Sequence, residues 1–363
     1  MHHYIFRIIL LFCLAQAPLW GHAWGFWAHQ RINRLAVFTL PPDMLALYKA
    51  HIEYLTEHAV DPDKRRYAVD GEAPRHFIDV DHYGQWPFPN VPRYWQEAVA
   101  TFTEDTLMAY GIVPYHIPKD LERLTRAFMR KDVHSIMKIS ADIGHYIADA
   151  HVPLHTTENY NGQLTGQKGI HGFWESRLPE LFGEQYDFFV GRAYFVENPQ
   201  LEAWQAVLEA HAALDSVLSF ERQLSERFPP DKKYGYESRN NVVVRNYSRE
   251  YAAAYHDMLN GMVERRMRTS IRRVGAFWYT AWKRAGSPDL SDLLGIRIKN
   301  KPVKYKKRLK ILDREASEIG LAPAAGQAHY AHLCCMHGFQ PRLPAPAPPP
   351  PAPAARHGLP EKR

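Results

Sequence analysis

Cysteine is nearly absent, with three in 363 residues. That excludes a scaffold built on disulfides. Cys13 lies near the start, Cys334 and Cys335 stand together near the end, and the long stretch between has none. That stretch must be held by packing or by metal. Neither sign of charge dominates: 45 Lys and Arg face 39 Asp and Glu, a net +6. Nine of the basic residues fall between Arg297 and Arg314 against one acid, Asp313. The rest of the chain sums to −2, so its total charge does not support a basic groove for a polyanion. No apolar run is long enough to span a bilayer as a helix. A Walker loop, H-E-x-x-H, G-x-S-x-G and G-x-G-x-x-G after a strand are all missing. At 46% hydrophobic and 23% charged, the composition also excludes wholesale disorder, collagen and coiled coil.

Two residue types are abundant instead, with 20 histidines and 27 prolines. Nine of the 23 residues from Pro341 onward are proline, mixed with alanine. That composition favours extended or disordered chain. Residues 291–363 are therefore expected to be a tail, first basic and then Pro/Ala-rich. The opening 23 residues read as a secretory signal. Arg7 is basic, Ile8 to Leu14 is a short apolar region, and Gly21-His22-Ala23 is a small-x-small cleavage site. Cleavage after Ala23 leaves Trp24 as the first mature residue and places the protein outside the cytoplasm.

The body, residues 24–290, has helical periodicity and few strand signals. Leu201, Trp204, Leu208 and Leu218 recur at turn-compatible spacings, as do Tyr251, Tyr255, Met258 and Met262. After a slip, Met267, Ile271, Val274 and Trp278 continue the stripe. These stripes read as core. His76 to Tyr83 alternates, but it is isolated and reads as an extended loop at the site. A single all-α domain follows.

The histidines form a pattern. His145-x-x-x-Asp149-x-x-x-x-x-His155 puts His145 and Asp149 four apart on one helical face. Ile136, Ile139, Ile143 and Ile147 stripe the other face, at about 100° per residue. Pro153 turns the chain out of helix, so His155 can return to the site. His171 and Glu175 repeat the four-residue spacing. Asp61 precedes His76 by 15, and His29 follows Trp24 by five. Nitrogen and carboxylate donors without thiolate suit zinc, with manganese or iron open by ligand type. His151 points away from this face and reads as structural or exposed. His82, His116 and His134 match no motif, and His329, His332 and His337 read as a loose tail cluster.

In order and spacing these residues resemble the trizinc phosphodiesterases. That superfamily holds the fungal and plant single-strand nucleases and the bacterial zinc phospholipases C. The resemblance covers about Trp24 to Trp282 and implies three zinc ions. One would take Asp61, His76, His145 and Asp149. A second would take His155, His171 and Glu175. The third would take His29, Asp149 and the free α-amino and carbonyl groups of Trp24. It further implies an in-line attack on phosphorus by a zinc-activated hydroxide, with Asp61 orienting the water, Asp149 bridging two metals and Lys64 near the scissile phosphate. Phe77 and Asp79 would stack on and hydrogen-bond a base, and Asn161 would line the substrate site.

Substrate signals are divided. The short Trp24–His29 interval and the Asp61–His76 spacing are nuclease-like. Glu175 in place of aspartate, and the loop Glu158 to Gly162, are closer to the phospholipases. With no amphipathic membrane helix in evidence, the leading expectation is a secreted nuclease that prefers single-stranded nucleic acid. The alternative is a phospholipase C acting on phospholipid, with Phe77 as a headgroup or acyl wall. A third reading is a non-enzymatic zinc-stabilised binding domain.

Overall fold

A computed structural model describes residues 25–66, 68–239 and 242–298. The leader, Trp24, the three cysteines, the tail histidines and the Pro/Ala-rich segment lie outside the described residues. The fold is all-α with one small hairpin. Its helices are α1 (Phe26–Ala36), α2 (Pro42–Ala50), α3 (Ile52–Glu57), α4 (Asp61–Arg65), α5 (Trp95–Phe102), α6 (Glu104–Tyr110), α7 (Val113–Met129), α8 (Val133–Asp149), α9 (Ile170–Gly172), α10 (Leu178–Phe182), α11 (Pro199–His211), α12 (Leu214–Arg227), α13 (Arg249–Met258) and α14 (Met262–Arg284). A π-helical turn, Phe173–Arg177, joins α9 to α10. Among the described residues no helix is long and apolar enough to cross a membrane.

Helix α8 is the centre of the packing. Asp132 caps it by accepting from the Ser135 amide. Its isoleucine stripe is buried, and so are Asp142, His145 and Asp149 on the opposite side. A helix buried all round needs partners on every face. Helices α7 and α14 flank it, and α1 crosses it closely. Gly144 permits that crossing: a Cβ there would lie 2.1 Å from Asn33 Oδ1. Asn33 Nδ2 then donates to the Ala141 carbonyl at 3.1 Å.

The expected stripes are mostly core. Tyr251, Tyr255, Met262, Met267, Ile271, Val274 and Trp278 are all buried. The slip between the two runs is a real break, where Gly261 takes a φ of 70° between α13 and α14. The earlier stripe belongs to two helices, α11 and α12, and Leu201 is exposed. Packing continues past residue 290, since Leu293 is in the core.

The hairpin is the departure from the helical expectation. Strands β1 (Tyr234–Arg239) and β2 (Val242–Tyr247) pair antiparallel, Tyr234 opposite Tyr247. Tyr247 stacks on Phe173 with ring centroids 3.9 Å apart. Arg177 pairs with Glu237. The hairpin thus braces both ends of the π turn.

Candidate metal centre

Three segments meet at the last turns of α8. The early turn of α1 lays the His29 ring flat on His145, with centroids 3.8 Å apart. His29 Nε2 lies 3.4 Å from Asp149 Oδ1. From the turn Ala73–His76, His76 Nδ1 comes within 2.9 Å of Asp149 Oδ2 and 3.1 Å of His145 Nε2. From α4, Asp63 Oδ1 lies 3.7 Å from His76 Nδ1 and 3.6 Å from His145 Nε2. All five side chains are buried.

A second group adjoins it. Past Pro153 the chain forms a 3-10 turn that aims His155 back at α8. His155 Nε2 stands 3.0 Å from His171 Nε2 and 3.3 Å from Glu175 Oε2. His171 Nε2 is 3.0 Å from the same oxygen. Glu175 sits on the π turn, a backbone form often found at functional sites.

The donor chemistry of both groups asks for a cation. Backbone carbonyls fix the protons of three rings on Nδ1. His145 donates to Ala59 at 2.8 Å, His155 to His76 at 2.7 Å and His171 to Tyr160 at 3.0 Å. With Nδ1 so engaged, each ring turns Nε2, a nitrogen that can ligate a metal, towards its neighbours in the group. Two such nitrogens and a carboxylate oxygen converge between His155, His171 and Glu175, each within 3.3 Å of the others. Both ring nitrogens of His29, His76 Nε2, Asp63 Oδ2, Asp149 Oδ1 and Glu175 Oε2 are buried without a hydrogen-bond partner among the described residues. Buried polar atoms are rarely left so. The residues form three metal-compatible sets: His29, His145 and Asp149; Asp63, His76 and His145; and His155, His171 and Glu175.

Electrostatics agree. Burial disfavours charge on Asp149, but the facing His145 and His155 outweigh it and hold the carboxyl well below the usual range. Glu175 is held at about 2, because His171 and His155 outweigh its burial. Both are anionic over the whole physiological range. Burial pushes His76 well below its ordinary value, keeping it neutral. His145 is buried too, yet Asp149 and Asp63 pull it up to about 9, so the carboxylates demand positive charge there.

A family model described as zinc dependent phospholipase C matches residues 28–238, more than half of the chain. The chain belongs to the zinc-dependent phospholipase C family. It is accordingly a zinc-dependent phosphodiesterase, a hydrolase of ester bonds. No curated protein matches the chain. Among solved structures, "Alpha Toxin from Clostridium Absonum" is similar at 13% identity, with a TM-score of 0.42, over 76% of this chain and 67% of that one. Zinc fits the donors described above: histidine nitrogen and carboxylate oxygen, without thiolate.

The structure brings together seven of the residues expected as ligands: His29, His76, His145, Asp149, His155, His171 and Glu175. It does not bring Asp61 to them. Asp61 Oδ2 pairs with His58 Nδ1 at 2.5 Å, and its Oδ1 accepts from Lys64 Nζ at 3.0 Å. Asp63 takes the inward position. The reason is helical geometry: residues two apart on α4 point in nearly opposite directions, so only one of the two carboxylates can face α8. Lys64 is tied to Asp61 in the same half-buried pair.

The expected substrate residues differ in setting. Phe77 is half-buried, and its carbonyl accepts from the Val113 amide. Gly111 lies against it, where a Cβ would come 2.2 Å from the Phe77 oxygen. Burial, then the nearby Asp81 and Glu158, push the Asp79 carboxyl up to about 8. Asn161 is committed locally, its Oδ1 accepting from the Gly169 amide. The segment His76 to Tyr83 is not a strand, but its backbone runs along the ligand loop: Ile78 and Val80 amides donate to the His155 and Thr156 carbonyls. His151 is wholly buried, with Nδ1 on the Ile147 carbonyl and Nε2 2.8 Å from Arg273 Nη1.

Proposed function

We propose that the protein is a phospholipase C that hydrolyses the phosphodiester of a phospholipid and releases its phosphorylated headgroup. The observation that carries this reading is the family match, which spans His29 to Glu175 and favours phospholipid over the single-stranded nucleic acid expected first. The carboxylate identity of Glu175 points the same way. Three zinc ions are proposed. Asp63, His76, His145 and Asp149 would hold one, and His155, His171 and Glu175 a second. His29 and Asp149 would hold the third with the α-amino and carbonyl groups of Trp24. The Gly25 amide donates to the Glu175 carbonyl at 3.2 Å, so the residue after Trp24 is already docked beside a ligand. This arrangement requires export and cleavage after Ala23, which frees that α-amino group.

Bound zinc supplies Lewis acidity toward phosphoryl oxygens and a water-derived nucleophile near neutral pH. The chain supplies the rest. Asp149, anionic and shared by two sets of histidines, fixes their relative placement. Asp79, protonated below about pH 8, presents a donor to a substrate oxygen near the mouth of the site. Phe77 offers an apolar wall beside it. Lys64, half-exposed near Asp61, supplies positive charge for the phosphate.

The test is hydrolysis by zinc-loaded protein starting at Trp24, with a chelated control. Phosphatidylcholine vesicles and a single-stranded oligonucleotide are assayed side by side. Chelator-sensitive release of phosphocholine is the expected result. Cleavage of the oligonucleotide alone would overturn the phospholipid reading and return Phe77 and Asp79 to base recognition.

A further inference from the structure

Beneath the first metal group lies a buried polar network that contributes no proposed ligand. Its hub is Arg65, 7% exposed. Arg65 Nε donates to Glu72 Oε1 at 2.9 Å, Nη1 to Asp142 Oδ1 at 3.0 Å and Nη2 to the Tyr146 hydroxyl at 2.9 Å. Tyr146 in turn donates to Glu72 Oε1. The outer carboxylate oxygens are also used. Arg75 Nη1 donates to Glu72 Oε2 at 2.9 Å, and Lys138 Nζ to Asp142 Oδ2 at 2.7 Å.

The network's members are placed with a pattern. Arg65 is two residues after Asp63. Glu72 is four before His76, and its Oε1 is 4.0 Å from the unpartnered His76 Nε2. Asp142 and Tyr146 are three before and one after His145 on α8. Each segment that delivers a member of the Asp63, His76 and His145 set is therefore gripped by the same guanidinium. A buried ion network is a poor source of stability, because desolvation offsets its attraction and apolar replacement is often neutral. What a planar fork with three fixed donors does supply is geometry.

We infer that Arg65 is a positioning residue, a clamp that sets the Asp63–His76–His145 triangle for zinc through Glu72, Asp142 and Tyr146. This inference rests on the zinc reading of the group. Removing outer partners of metal ligands typically weakens metal binding about 10- to 100-fold, and the same loss is expected on breaking the clamp.

The test uses the mature full chain, stripped of metal and reloaded with zinc or cobalt. R65K keeps the charge and loses the fork; E72Q keeps the shape and loses the carboxylate. For both, zinc affinity at one site, read by chelator competition, should fall about 10- to 100-fold. The cobalt absorption bands, which report ligand geometry, should shift. E221Q is the control. It strikes another buried network, in which Glu221 accepts from Lys233 and Tyr251, and should lower the melting temperature while leaving the cobalt bands in place. Wild-type zinc affinity and cobalt bands in R65K and E72Q would overturn the clamp, and so would an equal spectral change in E221Q. If R65K does not fold, E72Q against E221Q decides alone. A wild-type chain that binds neither metal would instead overturn the zinc reading itself.

Discussion

The two metal groups are built in opposite ways. The group at the end of α8 is assembled from afar: His29, Asp63, His76 and His145 come from four separate segments, and all are buried. The group formed by His155, His171 and Glu175 is nearly local. Its last two members are four residues apart, His171 in α9 and Glu175 on the π turn that continues it, and the His171 side chain is 19% exposed. The first group therefore depends on the whole helical packing for its geometry and is sealed from water. The second is set by one turn and one loop and is the more exposed of the two. Asp149 belongs to the first group and, 3.7 Å from His155 Nδ1, borders the second.

The largest effect should come from breaking that link. D149N keeps the volume but removes the charge that His29, His76 and His145 face together. Loss of about two zinc ions by elemental analysis is expected, with hydrolysis down on the order of 10³-fold. Retention of full zinc content would show that Asp149 holds neither of the two ions assigned to it.

Next in size is a contrast within α4. D63N should cost one zinc and about 10²-fold in hydrolysis, whereas D61N should change zinc content not at all. An inverted result would return Asp61 to the ligand position that the motif spacing suggests. A third contrast separates buried from open. H145A and H171A should each lose metal, but only H145A should destabilise the metal-free chain. It removes a fully buried ring that stacks on His29 and faces Asp149 and Asp63, at a cost of roughly 2–5 kcal/mol. Denaturant melts of both metal-free variants check this.

How much of this was legible in the residues follows from distance along the chain. His145 and Asp149, or His171 and Glu175, are four apart, and helical spacing alone puts each pair on one face. The isoleucine stripe of α8 and the break before α14 are equally local. Asp63 was hidden because Asp61-Pro62-Asp63 offers two carboxylates, and motif spacing favours the one that the fold turns outward. The hairpin was hidden because only the run Val242-Val243-Val244 signals a strand, while β1 mixes glycine, glutamate and serine. Arg65 and Glu72 carried no local signal at all. Their role depends on Asp142 and Tyr146, 77 and 81 residues from Arg65, and only packing brings those together.

The smallest expected effect concerns the open side, where Asp79 neighbours the second group. Its carboxyl is pushed up to about 8 by burial, then by Asp81 and Glu158. In the unfolded chain it ionises near the ordinary value of about 4. Between those two values the unfolded state binds fewer protons at this position than the folded state does. Stability therefore falls as pH rises from about 4 to about 8 and levels off above the folded value. D79N removes the titrating group, so its melting temperature should gain on wild type steadily across that window and run parallel beyond it. Parallel curves throughout would mean that Asp79 is not held protonated, and its proposed role as a donor to substrate would fall while both metal groups stand.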